Sequence, residues 1–314
     1  MKPEATSNRI FFSTALELCE QRKIPHATHV DMRQLTTLRI GGEAPLVCYP
    51  ETVQQAVQLL TDFEHHHIPW RIMGGGSNLL VQDDRPLPWV IVRLDRLKQI
   101  NRYPGGRVMV EAGVPAPQLA SWAALQGLGG CEFLSGIPGQ IGGLTRMNAG
   151  AFGRQMADLI QRVWYWTPGT GELQMVSVEP ELYGYRRSPF VNGVVLKVEL
   201  QLVVEEPAMV RQRLQKMKTY RLETQPLSQP SAGCAFKNPV FGRVSAGYLI
   251  DRAGLKGRRR GDAVISDKHG NFIINIGNAR YQDVVDLIEE ARHTVYERFG
   301  IRLEPELIFW HDED

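Results

Sequence analysis

Two glycine-rich stretches carry the first chemical signal in this 314-residue chain. Gly74-Gly75-Gly76-Ser77-Asn78 follows a short strand-like run from Trp70 to Met73. Consecutive glycines let a backbone turn sharply and present its N–H groups to a phosphate with no side chain in the way. A tight loop between packed strands reads the same way from this motif alone. The Lys-Ser/Thr ending of a P-loop is absent. The apolar Leu79-Leu80-Val81 that follows also excludes a G-x-G-x-x-G turn opening a helix. The second stretch, residues 135–153, places glycine at 136, 139, 142, 143, 150 and 153 among apolar residues, with Arg146 as its only charge. A solvated linker would carry more charge. Such a backbone suits a large, flat, diphosphate-bearing ligand. Two loops of this type favour a dinucleotide held by something other than a Rossmann fingerprint.

The elements that must position these loops alternate strand and helix. Val47 and Cys48 lie in a short apolar run that ends at Pro50. Val53, Ala56, Val57, Leu60 and Phe63 then recur at helical spacing, and Trp70 to Met73 completes a βαβ unit ending in the first glycine loop. Strand-like segments follow at 89–94 and 107–114, then a helical pattern at 117–126. Residues 135–153 read as the longest break in regular pattern. Segments 163–166 and 174–178 flank the hairpin turn Pro168-Gly169-Thr170-Gly171. Leu196, Val198, Leu200 and Leu202 alternate with Lys197, Glu199 and Gln201, the pattern of a half-buried strand with one wet face. Glu205-Glu206-Pro207 marks a domain boundary. Beyond it, Val210, Leu214 and Met217 mark a helix, and 224–239 reads as a long loop. Residues 282–299 form a helix with Val284, Leu287, Ile288, Ala291 and Val295 on one face and Gly300 as its stop. A strand at 303–309 precedes the acidic tail.

A chain of this length exceeds what one hydrophobic core usually organises, so two or three domains are expected. Its 43% hydrophobic and 22% charged residues are an ordinary globular balance. A net charge of +2 is too balanced to suggest nucleic acid or an anionic membrane as the main partner. No apolar run has the length of a signal peptide or of a membrane span. Four cysteines lie far apart without metal-ligand spacing, which fits a reduced, cytoplasmic compartment. Cys19, Cys48 and Cys131 read as core residues. His65-His66-His67 ends a helix, where the three rings point in different directions, so no metal site is expected. In Lys256-Gly257-Arg258-Arg259-Arg260, only Lys256 is expected near a site, with the arginines on a solvated face.

Further motifs join the two glycine loops: Thr37-Leu38-Arg39-Ile40-Gly41-Gly42, Tyr185-Arg186-Arg187-Ser188, Gln225-Pro226, and Ala232-Gly233-Cys234-Ala235-Phe236-Lys237-Asn238-Pro239. Residues 247–257, 266–279 and Leu303-Glu304-Pro305-Glu306 complete a set that is colinear from Val30 to Phe309. In these motifs the chain resembles the UDP-N-acetylenolpyruvylglucosamine reductases, and in lacking an extra segment it resembles their shorter class. The resemblance implies an α/β (α+β) fold: an FAD-binding pair of subdomains of the vanillyl-alcohol-oxidase/PCMH type, plus a C-terminal α+β substrate domain. The expected division is a helical extension at 1–29, an FAD domain at 30–205 split near 88/89, and a substrate domain at 206–314. A monomer is expected, with no nucleic acid and no membrane insertion.

The resemblance further implies non-covalent FAD, NADPH as co-substrate, and reduction of UDP-N-acetylglucosamine enolpyruvate to UDP-N-acetylmuramate for peptidoglycan. It assigns to FAD Arg39; Gly74, Gly75, Gly76, Ser77, Asn78 and Leu79; Ser135, Gly136, Pro138, Gly139, Ile141, Gly142 and Gly143; and Asn148, Ala149 and Gly150. It assigns to the UDP-sugar Tyr185, Arg221, Gln225, Lys237, Asn238 and Lys256. Three residues take catalytic roles. Hydride addition to the enolpyruvyl methylene builds negative charge toward the carboxylate, and the Arg186 guanidinium fork suits both its oxygens. Glu306 is the catalytic glutamate; a carboxyl there helps only if protonated or through water, which calls for burial. Cys234 stands where the family's usual proton donor is a serine. A thiol, with a reference pKa of about 8.5, is the stronger acid. Another FAD-dependent oxidoreductase on the same scaffold is the alternative reading, and a nucleic-acid-binding module using the basic run is a more distant one.

Overall fold

A computed structural model describes residues 3–239 and 244–311, the side chains of residues 3–10 and 180 excepted. The chain folds into two compact units, each discontinuous in sequence. Unit 1 comprises Met1–Val30, Ala44–Gly75 and Pro88–Lys218, and unit 2 comprises Asp31–Glu43, Gly76–Leu87 and Thr219–Asp314. Among the described residues, no helix is long and apolar enough to cross a membrane.

Unit 1 opens with helix α1 (Pro3–Gln21) and a four-stranded sheet. The strands run in the order His26–Asp31, Glu43–Cys48, Val90–Arg93, Trp70–Met73. Helix α2 (Val53–His65) starts at Thr52, whose hydroxyl accepts the Gln55 N–H at 3.1 Å, and buries Ala56, Leu59, Leu60 and Phe63. The expected βαβ unit is present, but its two strands do not touch. Each pairs in parallel with Val90–Arg93, which lies between them. The core of this layer buries Cys19 and Cys48 completely, their Sγ atoms 3.2 Å apart.

The rest of unit 1 is a five-stranded antiparallel sheet in the order Leu173–Ser177, Ile160–Trp166, Val194–Gln201, Arg107–Glu111, Ile100–Arg102. The predicted hairpin is its outer pair, in register from Arg162 with Ser177 to Trp166 with Leu173. Strand Val194–Gln201 is central, and of its alternating polar residues only the last, Gln201, is exposed. Glu199 is 5% exposed because Arg162 on the neighbouring strand covers it with two hydrogen bonds, 2.7 and 3.0 Å. The Lys197 ammonium lies over the Trp164 ring at 4.5 Å. Polar alternation here marks cross-strand pairing rather than solvent. Helix α3 (Ala116–Leu125) packs its alanine-rich face into the same core. The second glycine stretch is more ordered than a break. It holds a 3₁₀ turn at Glu132–Gly136, helix α4 (Ile141–Met147) and a two-stranded hairpin formed by Gly150–Ala151 and Arg154–Gln155. Helix α5 (Pro207–Thr224) begins at the expected boundary, and the division between units falls inside it.

Unit 2 is built on a four-stranded antiparallel sheet, Ser231–Cys234, Phe272–Asn275, Ala263–Ile265 and Arg259–Arg260, with helices α6 (Ala246–Arg252) and α7 (Tyr281–Phe299). The five predicted α7 residues are all buried, and Gly300 caps the helix in the left-handed region at φ 67°. Residues 224–239, read from sequence as loop, contribute an edge strand whose register shifts between Ser231 and Cys234. The predicted strand at 303–309 shrinks to Ile308–Trp310, paired in parallel with Leu79–Val81. Pro305 explains the loss: without an N–H it joins only an isolated bridge to Phe236.

Candidate functional site

In unit 1 the two glycine stretches lie against each other. A Cβ on Gly75 would stand 3.2 Å from Gly139 Cα, and one on Gly74 would stand 3.3 Å from Gln140 Oε1. Glycine makes that approach without displacing a neighbour, and Gly139 itself has a positive φ of 119°. The Gln140 amide donates to Asp95 at 2.8 Å, and Asp95 accepts Arg93 at 2.7 Å. Arg93 ends the strand that pairs Met73, the residue before Gly74. This Arg93–Asp95–Gln140 chain props both loops, and nothing in the apolar run Val90-Ile91-Val92 pointed to it.

The lining fits a dinucleotide such as FAD. The Ser135 and Thr145 hydroxyls are buried with no hydrogen-bond partner among the described residues. Gly143 is open, since a Cβ there would meet nothing within 4 Å, whereas one on Gly142 would press on Ala112 Cβ at 2.8 Å. Ser135, Gly136, Pro138, Gly139, Ile141, Gly142, Gly143, Ala149 and Gly150 all lie in unit 1 with Gly74 and Gly75. Gly76, Ser77, Asn78, Leu79 and Arg39 belong to unit 2. Arg39 is exposed there, with a left-handed φ of 56°.

The C-terminal end of α4 turns to a different task. Asn148, fully buried and left-handed at φ 47°, caps the helix. Its amide donates to Gln155 Oε1 at 3.0 Å and to the Gly184 carbonyl at 2.9 Å, while its oxygen accepts the Ala157 N–H at 3.0 Å. Gly184 and Arg187 exchange two backbone hydrogen bonds, closing a turn with Tyr185 and Arg186 at its tip. Arg186 also has a left-handed φ, 56°, a conformation costing about 1–3 kcal/mol in a non-glycine residue. Its guanidinium lies over the Tyr185 ring at 5.0 Å and reaches the Gly150 carbonyl at 3.4 Å. Arg186 is half-buried, and Arg187 is exposed.

In unit 2 the segments of Cys234 and Glu306 run side by side. The Glu306 N–H donates to the Ala235 carbonyl at 2.8 Å, and the Lys237 N–H donates to the Glu304 carbonyl at 2.9 Å. The Asn78 amide donates to the Glu306 carbonyl at 2.9 Å. Sequence positions 72 residues apart, 234 and 306, thus become backbone neighbours. The two glutamates of this motif differ: Glu306 is half-buried, while Glu304 is exposed and pairs with the Lys237 ammonium. Cys234 keeps partial exposure; Cys19, Cys48 and Cys131 are buried. Burial pushes the Cys131 thiol up to about 12.

Cationic groups gather in the same unit. Arg221 is 8% exposed, and its guanidinium donates to Gln225 Oε1 at 2.7 Å while its Nε has no partner among the described residues. Burial lowers its pKa, and Cys234 lies near enough to act on it electrostatically in the opposite direction. A buried cation without a carboxylate partner is suited to an anionic ligand. Lys256 pairs with Asp251 at 2.7 Å, and Asn238 Oδ1 accepts the first N–H of α6 from Ala246. His269 went unnoticed in the sequence. Burial, then the Lys256 charge, lowers its pKa, and its Nδ1 accepts the Asn271 N–H at 3.2 Å, as a neutral ring does. The arginines of the basic run are spent on Glu290 and Asp262.

Comparison with known proteins places this arrangement. A relative from Syntrophobacter fumaroxidans, a UDP-N-acetylenolpyruvoylglucosamine reductase, is 36% identical over 311 residues, covering 94% of this chain and 88% of that protein. The chain belongs to the UDP-N-acetylenolpyruvoylglucosamine reductase family. A reductase of the same name from Synechococcus is 39% identical over 281 residues, 88% of this chain and 89% of that protein. The solved reductase from Thermus caldophilus superposes with a TM-score of 0.75 at 36% identity, covering 92% of this chain and 99% of that one. The family model for the C-terminal domain of these reductases matches residues 225–310, and that of an FAD binding domain matches residues 44–177. The FAD-binding α/β fold expected from the motifs is therefore the fold of this reductase family.

Proposed function

We infer that the chain catalyses its family's reaction, the NADPH-dependent reduction of the enolpyruvyl ether of UDP-N-acetylglucosamine to UDP-N-acetylmuramate, a peptidoglycan precursor. Family membership over nearly the whole chain carries this reading. Held against the two glycine loops, FAD would supply the hydride chemistry that links NADPH to the enolpyruvyl methylene carbon. Gly74, Gly75, Gly139 and Gly143 bring backbone without side chains to the cofactor's diphosphate.

The residue roles follow from their chemistry. Arg186, raised on its turn with the guanidinium backed by Tyr185, receives the substrate carboxylate and stabilises the charge that accumulates there. Cys234 gives its thiol proton to the α-carbon. Glu306, fixed through its backbone to Ala235 and Asn78, assists on the same product-forming step. Arg221 with Gln225, Lys237 and Lys256 meets the anionic nucleotide portion. We further propose a monomer acting in the cytoplasm, where nucleotide sugars and NADPH reside.

The absorbance spectrum of the purified protein tests the reading. Yellow protein, flavin released by acid, bleaching with NADPH, and recovery of colour on adding the enolpyruvyl ether are expected. Bleached protein that the ether cannot reoxidise would leave a different FAD-dependent oxidoreductase in its place.

A further inference from the structure

We propose that Asn148 is a positioning residue for the carboxylate-binding arginine, acting through the Gly184–Arg187 turn. The proposal rests on the catalytic assignment of Arg186 above. The Asn148 side chain spends both amide protons and its oxygen inside the protein, on Gly184, Gln155 and Ala157. One of these contacts holds the carbonyl that begins the arginine turn.

The turn follows Tyr183, which packs against the core and the Phe190 ring. Gly184 and Arg187 close it with their own backbone hydrogen bonds, 3.0 and 3.1 Å, which set its shape but not its placement. The end of α4 adds to its placement. Asn148 holds Gly184, and the Gly150 carbonyl accepts from the Arg186 guanidinium. Behind the turn, the Ser188 hydroxyl donates to the Arg146 carbonyl at 2.6 Å, and the Arg146 guanidinium donates to the Val191 carbonyl at 3.0 Å. Residues 146–150 therefore clasp 184–191 from both sides. Asn148 is the contact on the side that leads into Arg186. Its left-handed backbone allows the chain to leave the helix and reach the turn within one residue.

Asn148→Asp tests this with the least change of shape. Aspartate keeps the acceptor for the Ala157 N–H and tolerates the left-handed backbone, but sets a carboxylate against the Gly184 carbonyl. Asn148→Gly removes the side chain and keeps the backbone free, so it serves if the aspartate variant folds poorly. In FAD-loaded protein, NADPH bleaching should be affected less than reoxidation. Reoxidation by the enolpyruvyl ether should slow by about tenfold to a hundredfold, the scale of a misplaced catalytic group. In cofactor-free protein, amide hydrogen exchange in the peptide covering 183–188 should rise, with the rest of unit 1 unchanged. In an Arg186→Ala background, Asn148→Asp should slow reoxidation no further, because both changes remove one function. Wild-type reoxidation in the Asn148 variants, slowing of both half-reactions alike, or additivity with Arg186→Ala each overturns the proposal. Arg186→Ala reoxidising at the wild-type rate would instead refute the catalytic assignment on which it rests.

Discussion

Cys234 stands where the family resemblance expects a serine, and the proposed role as proton donor draws on its surroundings. It is partly exposed, near the buried Arg221 guanidinium, and one residue from the carbonyl that holds Glu306. A cation beside a thiol favours the thiolate left once the proton has gone. Cys234→Ser is expected to retain substantial turnover, since a hydroxyl is the family's ordinary donor. Cys234→Ala should lose about two orders of magnitude or more, the scale of a positioned general acid. Steady-state assays decide, and near-wild-type turnover by the alanine variant returns Cys234 to a structural role. His269 carries a pH dependence of stability. Its folded pKa is lowered below the usual 6.5, so as pH falls through that value the unfolded chain takes up a proton that the folded one refuses. Stability should therefore decline on acidification below about 6.5. His269→Gln should flatten that part of the profile in thermal melts at pH 7.5 to 5, and an unchanged slope would remove His269 as its source.

At the scale of elements, helix α4 does the most with the fewest residues. Its first turn faces the glycine loops, and its last residue leads into the Asn148 clasp. Gly142 and Gly143 are neighbours with opposite constraints. Gly142→Ala would drive a methyl to 2.8 Å from Ala112 Cβ and 3.2 Å from the Val195 carbonyl, overpacking worth about 1–3 kcal/mol. Gly143→Ala meets nothing within 4 Å of protein, so the cofactor-free protein should lose no stability. If FAD lies on this surface, however, that methyl should weaken its binding. Melting cofactor-free protein and titrating FAD separates the two: the first variant melts early, and the second melts normally but needs more FAD. Equal FAD affinity in Gly143→Ala would place the cofactor elsewhere. The same scale shows where one-dimensional patterns mislead. Glu199 alternates with apolar residues as a solvent-facing side chain would, yet Arg162 roofs it over. Leu303 to Phe309 has strand composition, but Pro305 breaks the ladder before Ile308.

For the molecule as a whole, cofactor and stability should be linked. A ligand that binds only the folded state, at about a hundred times its Kd, adds about 2.7 kcal/mol. FAD should raise the melting temperature of the cofactor-free protein by several degrees. Riboflavin, which lacks the diphosphate and the adenosine, should raise it much less if the glycine backbone grips the diphosphate. Equal shifts from the two would remove that role from the loops. Much of this molecule was legible from residues alone. The glycine loops read as backbone that packs closely, and Gly75 and Gly139 do meet with no side chain between them. The five apolar positions of α7 and its Gly300 stop follow from helical spacing and a left-handed cap, which are local physics. What tertiary structure alone decided depends on partners distant in the chain. Strand Val90–Arg93 inserts between the strands of the βαβ unit, because parallel pairing is chosen by the whole sheet. Residues 31–43 and 76–87 fold with the C-terminal unit, since Leu38, Ile40 and Leu80 find their apolar contacts there. The ladder that sets Cys234 beside Glu306, and the clasp of Asn148 on the arginine turn, are hydrogen bonds across 71 and 36 positions. No periodicity records them, because their free energy comes from groups that meet only when the chain has folded.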